Sequence, residues 1–339
     1  MDLVPSVVID TDRASPRERF SLWRDALAAT HQVTLPEGCE PKRFSANARG
    51  WHLGSSLMLE ARSTPQALLR SPRTIRADQI DHYVICVQKS GCWSGGFAGN
   101  TVAAGPGSVT VIDMARSTDV RTSDIESINL LLSRDALDDL LPPFDMHGLV
   151  LRNGMAGVIR SHVSGLAANL SRLQIPDARR ISDATLSLVA ACLAPSRETV
   201  AGARVSFETA LIADIRSYID RHLDSPQLSP RDVGEALGLS RSTLYAVCEP
   251  MGGVAAFIQK RRLKRIHAIL ADPRDRRGIA EIAYQNGFTS GSHFSRAFRS
   301  AFGYSPREAR EVAAAGPAIA GNVAAEGSTY GAWIRQLSG

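Results

Sequence analysis

Two stretches of this 339-residue chain carry the same helical plan. One is "LSPRDVGEALGLSRSTLYAVC", from Leu228 to Cys248; the other is "GIAEIAYQNGFTSGSHFSRAF", from Gly278 to Phe298. Each reads as an amphipathic helix, a glycine, an apolar residue, a serine and a second helix. Gly238 and Gly287 stand where a helix C-terminus calls for a left-handed residue, which glycine adopts without a Cβ clash. Ser240 and Ser290 stand where the next helix needs an N-cap. Leu239 and Phe288 lie inside the turns. Leu244 and Phe294 each follow the capping serine by four residues and so face inward. The interrupted apolar pattern from Ile279 to Pro306 is therefore two helices joined by a tight turn, a helix-turn-helix, and the chain holds two of them.

Helix-turn-helix geometry also serves plain helical packing, so the stretch between the two motifs matters. "VAAFIQKRRLKRIHAIL", Val254–Leu270, reads as a helix with Phe257, Leu263, Ile266 and Leu270 available to a core. Lys260, Arg261, Arg262, Lys264 and Arg265 surround them. Such a helix can fix the separation of two reading heads while its charges meet phosphates; the plainer reading is a solvated basic face. From Arg204 to Arg310 there are 17 Lys and Arg against 11 Asp and Glu, a net of +6, while the whole chain carries +5. A basic domain on a near-neutral one points to a polyanionic partner.

The first half has a different texture. "SPRERFSLWRDALAAT" predicts a helix capped by Ser15, with Pro16 in its first position and Phe20, Trp23 and Leu27 on one face. From Phe44 to Leu132, short β-rich runs such as "DHYVICVQ", "GSVTVID" and "SINLLLS" alternate with Gly, Pro, Asn and Asp. That texture suggests an antiparallel sandwich or barrel. From Ser133 to Leu193 the pattern is helical. Val158, Ile159, Val163, Leu166, Leu170 and Leu173 form a stripe that suits either an internal helical hairpin or an oligomer contact. "APSRETVAGAR" reads as a linker. The Ala/Gly-rich end is expected to be a flexible tail, with Trp333 free to dock.

Several function classes are disfavoured. The five cysteines, Cys39, Cys86, Cys92, Cys192 and Cys248, include no C-x-x-C pair. Reduced thiols are expected rather than a zinc module, a disulfide framework or a four-cysteine DNA-repair alkyl acceptor. No run of about 18 apolar residues exists, and the N-terminal stretch is charged, so the expected location is the cytoplasm. A metal-dependent enzyme needs clustered His and carboxylate, and the strand-rich region has only His52 and His82, without an H-x-H pair. No metal, no cofactor and no catalysis are expected.

The block from about Phe207 to Arg310 resembles the tandem helix-turn-helix domain of AraC/XylS-type bacterial transcription regulators. The carriers are "LSPRDVGEALGLSRSTLY", "QKRRLKRIHAIL" and above all "IAEIAYQNGFTSGSHFSRAFRSAFGYSPREAR". The last has the I-A-x-x-x-G-F core, the S-x-F-S-R-x-F-R recognition helix and the F-G-x-S-P exit. More loosely, "FSLWRDAL", the strand-rich middle and "SRDAL" at Ser133–Leu137 resemble the ligand-sensing half of that family. The resemblance implies two domains. The N-terminal one is a cupin-like antiparallel β-barrel with flanking helices; the C-terminal one is all-α, with two helix-turn-helix motifs joined by a long helix. The expected boundaries are a sensor at 1–195 with a helical hairpin from about 155, a linker at 196–205, a DNA-binding domain at 206–311 and a flexible tail at 312–339.

It also implies a sequence-specific regulator bound to double-stranded DNA on the bacterial nucleoid, responding to a small-molecule effector. RNA polymerase and a second copy, through the 155–193 helices, are further implied partners. Residues just after the N-cap and one turn later face the major groove. The expected base readers are Arg241, Ser242, Thr243 and Tyr245 in the first motif and Ser292, His293, Ser295 and Arg296 in the second. Arg241 and Arg296 are the strongest of these, because arginine pairs bidentately with guanine. Arg231, Arg262, Arg265 and Arg299 are expected phosphate contacts. Trp51, His82, Tyr83 and Trp93 are the aromatic candidates for an effector pocket. The chain departs from the family pattern at Ala246, Cys248 and Pro250, which predicts a first recognition helix that ends early. The alternatives are a cupin-type enzyme and a protein-interaction module whose paired N-caps arose by coincidence.

Overall fold

The computed structural model describes residues 3–78, 80–142, 144–152, 154–194, 207–272, 274–302 and 304–314, with residues 331, 333, 334 and 337. The chain divides into two compact units, Met1–Val205 with Val323–Leu337, and Ser206–Asn322 with Ser338–Gly339. The expected linker at 196–205 lies outside the described residues.

The first unit runs in the order β1 (Ser6–Asp10), α1 (Arg19–Leu27), β2 (Gln32–Thr34), β3 (Ala46–His52), β4 (Ser56–Ser63), β5 (Gln66–Arg70), α2 (Pro72–Asp78), β6 (Tyr83–Ser90), β7 (Trp93–Phe97), β8 (Asn100–Ala104), β9 (Val109–Asp113), β10 (Thr118–Thr122), β11 (Ile125–Leu132), α3 (Arg134–Asp138), β12 (Val150–Leu151), α4 (Gly154–Asn169) and α5 (Ile175–Leu193). The strands form two antiparallel sheets, ordered β1-β3-β4-β11-β6-β9-β12 and β2-β5-β10-β7-β8. This is the cupin-like arrangement, with helices on one face of the larger sheet.

The period-two alternation of strands sorts the side chains into two cores. Met58, Tyr83, Ile85, Val87, Ile128, Leu130 and Leu132 face α4 and α5. Leu57, Leu59, Val84, Ile112 and Leu131 face the opposite way, towards the space between the sheets. Ile159, Val163, Leu166 and Leu170 spend their stripe on the chain's own sheet, together with Ala178, Val189 and Leu193. The helical pair is thus an internal layer, which leaves Val158 46% exposed.

Two features differ from the sequence expectation. Helix α1 starts at Arg19, not near Ser15. The Ser15 hydroxyl donates to the Glu18 carboxylate at 2.5 Å, and the Ser15 carbonyl accepts from the Glu18 and Arg19 amides. The serine therefore closes a turn instead of capping a helix. At the other end, the flexible tail expected at 312–339 is not loose where it is described. Trp333, Ile334 and Leu337 are 9%, 2% and 4% exposed and pack with Val7, Leu57, Ile80, Met114 and Leu131.

The second unit contains α6 (Phe207–Arg221), α7 (Pro230–Ala236), α8 (Arg241–Cys248), α9 (Val254–Ala271), α10 (Ile279–Gln285), α11 (Gly291–Phe302) and α12 (Pro306–Ala314). It has two cores, and α9 serves both. Val254, Phe257 and Ile258 join Leu211, Ile215, Val233, Leu244 and Cys248. Leu263, Ile266 and Leu270 join Ile282, Phe288, Phe294, Phe298 and Phe302. The three phenylalanines of α11 recur every four residues, with ring centroids 5.6 and 4.6 Å apart. Each contributes about 1.5–3 kcal/mol by burial.

Candidate functional site

The two helix-turn-helix motifs are built alike at their turns. Gly238 and Gly287 have φ of +63° and +83°, the left-handed region. The Leu239 amide donates to the Gly234 carbonyl at 2.8 Å, and the Phe288 amide to the Ala283 carbonyl at 3.0 Å. Ser240 Oγ caps α8 by accepting from the Thr243 amide at 3.1 Å. Ser290 Oγ caps α11 by accepting from the His293 amide at 3.3 Å. The second turn is one residue longer, because Thr289 lies between Phe288 and its capping serine.

Both recognition helices then show one pattern of exposure. Leu244 and Cys248 are buried in α8, as are Phe294 and Phe298 in α11. Arg241, Ser242, Thr243, Tyr245 and Ala246 are exposed, as are Gly291, Ser292, His293, Ser295 and Arg296. All eight expected base readers thus stand on the outer face of their helices. Among the described residues Arg296 has no ion-pair partner, so its guanidinium is available. Arg241 lies 5.5 Å from the Tyr245 ring centroid, a cation–π contact that holds both side chains at the helix start. As expected from Pro250, α8 is short, with 8 residues against 12 for α11.

The linking helix is less free than its charges suggest. Arg261 makes a bidentate pair with Asp220, both contacts at 2.7 Å. Lys264 is only 7% exposed. Arg262 was expected at a phosphate but turns inward. Its Nη2 donates to the Ser225 and Pro226 carbonyls at 2.9 and 3.2 Å. Burial also pulls its pKa below the ordinary arginine value. The reason is Gly287: a Cβ there would lie 2.5 Å from Arg262 Cζ, so the missing side chain makes the guanidinium's berth. Arg262 is thus a strut between the start of the first motif and the turn of the second. Arg265 remains exposed, with no ion pair among the described residues. Arg231 and Arg299 are exposed as well, facing Glu235 at 2.6 Å and Glu308 at 3.8 Å.

His267 anchors the second core from α9. Its Nε2 lies 2.5 Å from the Tyr304 hydroxyl, and its ring packs on Phe298 and Phe302. Burial pushes its pKa down to about 4.

The first unit encloses a cavity of about 190 Å³ between its sheets. Its apolar wall includes Leu59, Leu68, Trp93, Phe97, Met114 and Leu131; Thr118, Ser127 and Asn129 offer polar atoms. His31 also lines it, and burial, aided by Arg70, pushes its pKa down to about 3, so it is neutral. Of the four aromatic candidates only Trp93 lines the cavity. Trp51 and Tyr83 fall on the helix-covered face of the sheet, a consequence of strand alternation. There the Tyr83 hydroxyl accepts from Arg134 at 2.7 Å. His82 is buried and bonded to the Ile334 carbonyl. Sequence reading also missed Arg70, which is fully buried. It donates to the Asp78 carboxylate at 2.5 and 2.9 Å and to the Met114, Thr30 and Ile80 carbonyls.

Two family models match this layout. Residues 23–194 match an AraC-binding-like domain, and residues 233–311 match a helix-turn-helix domain. The chain belongs to the AraC family of transcription regulators. It is a DNA-binding regulator with a ligand-binding type of N-terminal domain. It is similar to the transcriptional activator NphR of Rhodococcus sp, with 23% identity over 317 residues that cover 89% of this chain and 92% of that one. The transcriptional activator RhrA of Rhizobium meliloti is 29% identical over 105 residues, 31% of this chain and 33% of that one. The crystal structure of the AraC-like transcriptional activator CuxR superposes with a TM-score of 0.58 at 26% identity, over 78% of this chain and 96% of that one. Among the described residues no helix is long and apolar enough to cross a membrane. None of their His, Cys, Asp or Glu side chains gather in threes as a metal site would require.

Proposed function

We propose that this AraC-family protein reads duplex DNA with both recognition helices, unequally. The matched exposure of α8 and α11 carries the reading. Arg296 serves as the principal base contact, since it is exposed and, among the described residues, without an ion pair at the position where a recognition helix meets base edges. Ser292, His293 and Ser295 flank it. Arg241, Ser242, Thr243 and Tyr245 form the second, shorter reading face. Arg231, Arg265 and Arg299 contact phosphates, while Arg262 positions the heads. The cavity between the sheets takes the small-molecule effector, and binding, not catalysis, is the chain's activity. Two activators among its relatives favour activation of transcription through RNA polymerase, in the bacterial cytoplasm on the nucleoid. Self-association uses the outward face of α4, where Met155 and Val158 are 42% and 46% exposed.

The test is selection of duplex sites from a random pool by the full chain, followed by the Arg241→Ala, Arg296→Ala double variant on the selected site. Wild type is expected to enrich one extended site with salt-dependent affinity. Full affinity and unchanged site preference in the double variant would sink the assignment of readers. Failure of the wild type to enrich any site would favour a protein-interaction module.

A further inference from the structure

The C-terminal segment reaches the cavity between the sheets, where Ile334 is one of the lining residues. Trp333 meets the His52 ring edge-on, with centroids 5.6 Å apart. The Ile334 carbonyl accepts from His82 Nε2 at 2.7 Å; a carbonyl only accepts, so the imidazole proton is on Nε2. Ile334 and Leu337 share one apolar cluster with Leu59, Val84, Ile112, Met114 and Leu131. Those five residues, and Ile334 itself, also line the cavity. One set of side chains therefore holds the segment and forms the wall that a ligand touches.

The space fixes the chemistry. A volume of about 190 Å³ slightly exceeds the roughly 150 Å³ of an apolar protein cavity that admits benzene. Gln66 is already bonded, accepting from Trp23 Nε1 at 2.8 Å and donating to Ser63 Oγ at 2.7 Å. Asn129 donates to Ser127 Oγ at 3.1 Å. His31 is neutral, and Arg62, the one permanent charge among the lining residues, is exposed at the rim. An ion would be desolvated there without a partner.

Resting on the reading of this cavity as the effector site, we propose that the C-terminal segment is a wall of that site. An uncharged ligand about the size of one aromatic ring binds only while the segment is docked. The DNA-binding unit Ser206–Asn322 lies in the chain between the two pieces of the sensor unit, so it is attached at both ends.

The experiment uses the full chain with benzene as the probe. Ligand-observed NMR reports binding, and hydrogen exchange of the peptide spanning 331–337 reports docking. If binding requires the docked segment, opening is suppressed by one plus the ratio of ligand to Kd. Exchange should then slow about tenfold at about ten times Kd. Bound benzene with unchanged exchange at 331–337 overturns the wall and leaves the effector cavity standing. Absence of benzene binding overturns the cavity reading itself. Benzoate is expected not to bind, and equal binding of both probes overturns the uncharged class. Ile334→Ala enlarges the cavity and is expected to admit naphthalene, which wild type excludes; no gain for naphthalene in that variant speaks against Ile334 as a wall.

Discussion

The Arg262 guanidinium occupies the place where a side chain at residue 287 would be, with 2.5 Å between Arg262 Cζ and a Cβ built on Gly287. Gly238, its counterpart in the first motif, has nothing within 4 Å of such a Cβ. Gly238→Ala should therefore cost only the left-handed backbone penalty, about 1–2 kcal/mol. Gly287→Ala should cost clearly more, because it also evicts Arg262. Chemical denaturation of each full-length variant, followed by helical circular dichroism, checks the order. Equal costs would mean that Arg262 simply swings away.

Arg262 and Arg265 are three residues apart on α9 but should behave differently on DNA. Arg265→Ala should weaken binding to all sequences and lower the salt slope by about one. Arg262→Ala should leave the salt slope unchanged. It should destabilise the second unit by about 1.5–3 kcal/mol, the range for hydrogen bonds from a charged group. Binding isotherms at several salt concentrations separate the two. A lowered slope for Arg262→Ala would return it to the phosphate contacts.

Asp78→Ala should strand the fully buried Arg70 guanidinium and cost the sensor unit about 3–5 kcal/mol. Thermal unfolding should show an early sensor transition. A melting curve that matches wild type would show that the carbonyls around Arg70 suffice.

Acid should loosen both units. Burial pushes His31 down to about 3 and His147 and His267 to about 4, all below the ordinary value of 6.5. The unfolded chain then binds more protons than the folded one between pH 6.5 and 4. The stability these neutral rings support is complete above pH 6.5 and falls as pH drops through that window, by about 1.4 kcal/mol per pH unit for each ring. His267→Gln should flatten the part of this slope that belongs to the second unit. An unchanged slope in that variant would mean that His267 titrates normally.

The second unit was legible because its constraints are local. A left-handed glycine, a capping serine and an inward residue four positions on leave marks in a single sequence. So did the early end of α8, through Pro250. The direction of Arg262 left none, since it depends on Gly287, which is distant in sequence. The strands were legible as texture, but their inward and outward faces were not, because one residue of register decides which aromatic meets the cavity. That is why Trp93 lines it and Trp51 and Tyr83 do not. Of the docked end only Trp333 was marked in the sequence, because an Ala/Gly-rich stretch gives no periodic signal.

An 18-residue helix, about 27 Å long, places its first turns in one core and its later turns in the other. If both heads contact DNA as proposed, the gap between the two contacted segments is a fixed length, not a repeating phase. A ten-base-pair insertion, about one helical turn, returns both segments to the same side of the duplex and rescues a pair of heads on a flexible tether. It cannot rescue heads mounted on one rigid bar. Promoters bound by this chain should therefore tolerate base changes in the gap far better than insertions or deletions of any size.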